Sequence, residues 1–210
     1  TENPAKKDGT NVKVYRTIKA GEWSTLCLPF DMTATQVKAA FGDDVELKDF
    51  NGAEASTELI KVSFVDATAI QMNVPCLIKV NSDVSVFTAE NVNVQRKGTT
   101  KKVGEETFTG TYIVTTVPDE CVFLSGNKFY YSTNKTAIKG FRGWFKFSAT
   151  LDDFWDASRG IELDFGDGTT GINAVRQLPN DGNYYNLKGQ RVEKPSKGVF
   201  IVNGKKVVVK

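Results

Sequence analysis

Short runs in which β-branched and aromatic residues alternate with polar ones follow one another along most of the chain, separated by clusters of Gly, Asn, Asp and Ser. That period-two pattern predicts strands. Residues 12–19 and 23–30 are β-rich, and Ala20-Gly21-Glu22 between them has hairpin spacing. Further strands are expected at 45–50, 58–65, 76–80, 91–95, 107–117, 121–124, 128–132, 143–148 and 160–165. One helix interrupts them. Thr33-Ala34-Thr35-Gln36 is a capping box, Val37, Ala40 and Phe41 form an apolar stripe at helical spacing, and Gly42 stops the helix.

Alternation assigns faces. Phe108, Tyr112 and Val114 share one side of their strand, with Thr109, Thr111 and Thr115 on the other. In the next aromatic run, Phe141, Phe145 and Phe147 point to the core, which leaves Arg142, Trp144 and Lys146 together on the opposite face. Strands at this pace, with turn residues between them, predict an all-β chain: an antiparallel β-sandwich over residues 1–168 with one short helix. Gly166-Asp167-Gly168-Thr169-Thr170-Gly171 has the composition of a linker. Beyond it, 172–210 reads as a small β-meander. Lys188-Gly189 separates one pair of strands and Asn203-Gly204, a strong hairpin signal, the next. Two hairpins bury little core alone.

Composition narrows the chemistry more than the architecture. The 210 residues carry 27 Lys+Arg against 25 Asp+Glu, a net charge of +2, and no histidine. Without histidine there is no Ser-His-Asp or Cys-His catalysis and no His-ligated zinc. The near balance of charge argues against nucleic acid as a partner. No apolar run approaches the ~20 residues of a transmembrane helix, and the start, Thr1 to Gly9, is polar. It reads as a mature or trimmed terminus from which an export signal has been removed. Cys27, Cys76 and Cys121 follow no ligand spacing and sit among apolar residues, as buried small hydrophobes do.

Several constellations invite a function, each with a plainer competitor. Trp144 between Arg142 and Lys146 can form a flat binding platform, to which Tyr130 adds a second ring. The competing role is packing under a loop, under Phe154-Trp155 or under the C-terminal meander. Asp164-Phe165-Gly166-Asp167-Gly168 has carboxylates and turn glycines, but it lacks the spacing and distal Glu of a calcium loop and reads as a strand end. The acidic groups Asp43/Asp44, Glu105/Glu106, Asp119/Glu120 and Asp152/Asp153/Asp156 would be the only resource for a carboxylate-based glycosidase. Sequence neighbours on a strand point to opposite faces, and acidic doublets suit solvated turns. Asn134-Lys135-Thr136 marks a surface turn. No motif asks for a cofactor or a metal.

The last stretch, Tyr185-Asn186-Leu187-Lys188-Gly189-Gln190-Arg191-Val192, then Lys197-Gly198-Val199-Phe200-Ile201, then the close on Lys206-Val207-Val208-Val209-Lys210, resembles a known module. It is similar to the C-terminal sorting domains of type IX secretion in secreted and surface proteins of Bacteroides-type bacteria. Upstream, Leu28-Pro29-Phe30-Asp31, Phe123 to Tyr131 and Ile138-Lys139-Gly140-Phe141-Arg142 also resemble recurrent segments of such proteins. The resemblance implies export and a surface or extracellular life, and it carries no catalytic residues with it. The expected role is therefore a non-catalytic accessory protein of the cell surface, engaged in adhesion, assembly or ligand binding, with a glycan or another surface protein as partner. A carbohydrate-binding module built on Trp144, Arg142, Lys146 and Tyr130 is the sharper alternative, and a glycosidase the remote one.

Overall fold

The structure, a computed structural model, describes residues 6–56, 59–132, 134–148 and 160–166, with strand segments at 184–185, 191–192, 198–202 and 205–209. The first half runs β1 (Lys7–Ile18), β2 (Ser24–Leu26), α1 (Ala34–Phe41), β3 (Glu46–Ala55), β4 (Leu59–Ala67), β5 (Cys76–Lys79), β6 (Val84–Val94) and β7 (Thr100–Val103). It continues with β8 (Glu106–Thr111), β9 (Thr115–Thr116), β10 (Val122–Ser125), β11 (Lys128–Tyr131), β12 (Ala137–Ile138), β13 (Arg142–Lys146) and β14 (Gly160–Asp164). The C-terminal strands are β15 (Tyr184–Tyr185), β16 (Arg191–Val192), β17 (Gly198–Val202) and β18 (Lys205–Val209). The chain is all-β and sandwich-like, with α1 as its one α-helix among the described residues.

Two five-stranded sheets form the sandwich. The first has the order β14-β4-β3-β5-β2, the second β11-β10-β13-β8-β7. Their facing sides share one core. Phe50, Ile60, Val62, Phe64, Leu77, Ile161 and Leu163 come from the first sheet; Phe108, Val122, Leu124, Phe129 and Phe145 come from the second. Phe145 is its hub: it stacks on Phe108 at 4.1 Å and meets Phe50, Phe64 and Phe129 at 5.9–6.1 Å. Rings at these separations and tilts add favourable contact beyond the area they bury.

The first sheet is covered on its other side as well. Cys76 and Ile78 of β5 alternate with Leu77, so one strand feeds two cores. A two-stranded ribbon, β1 with β6, and helix α1 lie over this second face. The helix places Val37 and Phe41 there, with Phe41 at 4.7 Å from Phe87 of the ribbon. Its capping box forms as read: Thr33 and Gln36 satisfy each other's backbone N–H groups, and Gly42 ends the helix at φ 98°.

Several local expectations change. β1 does not form a hairpin with β2; it pairs antiparallel with β6, Val14 opposite Phe87. Gly21 N–H instead donates to Val80 O at 2.8 Å, carrying the chain from the ribbon to the edge of the first sheet. β14 pairs parallel with β4, Ile161 opposite Ile60, so the first sheet is mixed rather than purely antiparallel. The run 107–117 breaks after Thr111, which separates buried Tyr112 from Val114, 57% exposed; Thr111 itself is buried.

Phe141 also departs from its expected place. It has a φ of 59° just before β13 and joins the other core beside Tyr112. Gly143 stands between the sheets, where the Phe108 ring leaves no room for a side chain: a Cβ there would lie 2.8 Å from Phe108 Cε2.

The C-terminal strands make a separate antiparallel sheet of order β16-β15-β17-β18; β15 pairs with both β16 and β17, so the strands are not the simple meander expected for this stretch. Val202 pairs with Lys205, the register that Asn203-Gly204 predicts. Those two residues, the linker beyond Gly166 and the segment 149–159 with Phe154-Trp155 lie outside the described residues.

Candidate functional site

Pleating decides what the outer face of the second sheet presents. In β13, Gly143 and Phe145 point between the sheets, so Arg142, Trp144 and Lys146 share the outer side, as alternation required. Register then brings other strands to Trp144. Phe123 of β10 stands opposite it, Tyr130 of β11 stands opposite Phe123, and Thr109 of β8 flanks Trp144 on the other side. A continuous row results: Tyr130, Phe123, Trp144, Thr109, and then Thr100 of β7, whose hydroxyl is 3.1 Å from that of Thr109. Tyr130 and Phe123 stack with centroids 5.6 Å apart and planes 20° from parallel.

The row packs against a small cluster of its own. Phe123 is 8% exposed and belongs to a small cluster with Val117, Cys121 and Ile138, against which half-buried Tyr130 and Trp144 pack. The two-stranded ribbon β9–β12 frames it. Ser132 pins this arrangement by donating its hydroxyl to Val117 O at 2.7 Å, while Val117 N–H donates to Thr136 O at 2.9 Å. Trp144 is thus seated on a built support rather than standing free of the sheet.

The flanking cations differ from each other. Lys146 is exposed and pairs with Glu120 at 3.4 Å. Arg142 is half-buried, and burial holds its guanidinium below the ordinary arginine range. No hydrogen bond or ion pair engages it among the described residues. Phe123, between Tyr130 and Trp144, is a residue the sequence could not single out. All of Val122, Phe123 and Leu124 are buried, so the strand shows no alternation from which to choose a face.

The remaining candidates are dispersed. Asp164 pairs with Lys61 at 2.7 Å and accepts Gly166 N–H at 2.9 Å, which makes it a turn former at a strand end; Asp167 lies outside the described residues. Glu105 pairs with Lys102 at 3.1 Å, while Glu106 accepts Ser148 N–H at 2.8 Å. Asp119 accepts Glu120 N–H at 3.1 Å, and Asp43 and Asp44 are exposed in a turn. Asp152, Asp153 and Asp156 lie outside the described residues. No group of three or more His, Cys, Asp or Glu gathers among the described residues. Cys27, Cys76 and Cys121 are buried free thiols; desolvation raises Cys27 to about 12 and Cys121 to about 11, the range of unreactive thiols. No helix among the described residues is long and apolar enough to cross a membrane.

These features define a class by fold and surface alone: an all-β sandwich with an aromatic row on an outer sheet face. Comparison with protein-family models, with curated proteins and with solved structures gives no match to this chain.

Proposed function

We propose that the protein is a non-catalytic secreted or cell-surface accessory protein that binds a glycan on the outer face of its second sheet. The carrying observation is the register-built row Tyr130–Phe123–Trp144, continued by the hydroxyls of Thr109 and Thr100. Sugar rings present flat C–H faces between hydroxyls, and they match an aromatic face beside short polar side chains. A row fixed by strand pairing needs no ordering on binding, which lowers the entropic cost of capture. The surface location rests on the resemblance of the C-terminal stretch to sorting modules; in this reading that sheet serves export and attachment.

A glycan array probed with the intact protein tests the binding claim. A hit that Trp144→Ala abolishes while circular dichroism stays unchanged is the expected result. An array without a hit, or a hit that survives Trp144→Ala, overturns it. The location is tested at the precursor's N-terminus and by cell fractionation: a precursor without an export signal whose product stays in the cytoplasm refutes it.

A further inference from the structure

Arg16 is buried to 3% exposure on the inward side of β1, between Val14 and Ile18. Charges so far from water are ordinarily paired. Lys48 obeys that rule: at 7% exposure it pairs with Asp66 at 2.6 Å and lies 4.9 Å over the Phe165 ring. Arg16 does not. Its Nη1 donates to Thr17 O and its Nη2 to Thr25 O at 3.1 Å; its Nε–H finds no acceptor, and no carboxylate neutralises it among the described residues.

A second arginine is brought near through Thr25. Thr25, on the edge strand β2, accepts Arg16 on its carbonyl and Gly143 N–H on its hydroxyl, the latter at 2.9 Å. That second bond docks the start of β13 beside Arg16, and Arg142 immediately precedes Gly143. Burial first, and then repulsion from Arg142, pulls Arg16 down to about 9, at which it is still cationic at neutral pH. Capping the carbonyls of Thr17 and Thr25 explains two of the hydrogen bonds of Arg16. It does not explain why the fold brings a second unpaired guanidinium to a like charge in a region of low dielectric, where repulsion is strong.

We propose that Arg16 and Arg142 form a binding site for an oxyanion, a carboxylate or sulfate group of a ligand. Arg142, half-buried on the outer face, supplies the planar fork that matches two oxygens. Arg16 supplies a fixed charge from beneath, held by its two carbonyl contacts. An anion placed there would neutralise both guanidiniums. The inference requires only these two arginines and stands apart from any role of the aromatic row.

The test is a titration of the full chain with sodium sulfate and, separately, sodium acetate, at ionic strength held constant with sodium chloride. It follows the arginine Nε–H resonances by NMR. Saturable shifts of the Arg16 and Arg142 signals are expected, with the stronger of the two anions telling sulfate from carboxylate. Arg142→Gln should weaken binding roughly tenfold or more, the loss of a charge-assisted hydrogen-bonding arm. Because the Arg142 side chain makes no hydrogen bond among the described residues, that variant should keep the native backbone spectrum. Arg16→Lys keeps the charge and serves as a second variant, expected to bind several-fold more weakly. Shifts that only track ionic strength, or saturable binding that survives Arg142→Gln, overturn the proposal.

Discussion

The two faces of β13 are built from adjacent residues and do opposite things. Phe145 points between the sheets, fully buried, and touches aromatic rings from both of them. Trp144, one residue earlier, points outward onto a cluster whose other members come from β10 and from the ribbon edge. The inner face is held by non-local contacts between two large sheets, whereas the outer face is held by cross-strand neighbours within one sheet and a short ribbon. The inner face therefore determines whether the protein folds. The outer face can change without unfolding it, and that freedom is what a recognition surface needs.

The comparison can be tested by substitution. Phe145→Ala should have the largest effect, about 3–5 kcal/mol lost in urea unfolding, because it empties the centre of the shared core. Gly143→Ala comes next on the same face. Its Cβ would meet Thr109 O at 2.7 Å and Phe108 Cε2 at 2.8 Å, so the strands must part, at a cost of about 1–3 kcal/mol. Trp144→Ala should lower stability by only about 1–2 kcal/mol, since the ring is half-buried over Phe123, yet abolish glycan binding. Lys146→Ala should change stability by less than about 0.5 kcal/mol, as both partners of its pair with Glu120 are more than half exposed. A Trp144→Ala loss as large as that of Phe145→Ala would erase the distinction between the faces.

Much of this was legible in the chain. The capping box at Thr33 and Gln36 specified α1 because both partners lie within one turn. The alternation of Arg142, Trp144 and Lys146 against Phe145 specified the facing of β13. The placement of Phe141 was not legible, because its φ of 59° takes it out of the alternation of β13 and beside Tyr112, a residue distant in sequence. Nor was the pairing of β1 with β6, since hairpin spacing after Ile18 says nothing of the strand that begins at Val84. The polar edge strand β7, Thr100-Lys101-Lys102-Val103, has no hydrophobic period to announce it. Arg16 did leave a trace, a cation in the inward phase of Val14 and Ile18, but only the fold shows that no acid meets it among the described residues.

The sequence by itself determined the class: strands, one capped helix, terminal hairpin strands, and a chemistry without histidine. These are properties of composition and of local period, which each segment carries within itself. Only the tertiary structure decided which strands are neighbours. It thereby placed Phe123 between Tyr130 and Trp144, and it brought Arg142 beside Arg16 through Thr25. The physical reason is that register and sheet order follow from how whole faces fill a common core, and no single run of residues contains that information.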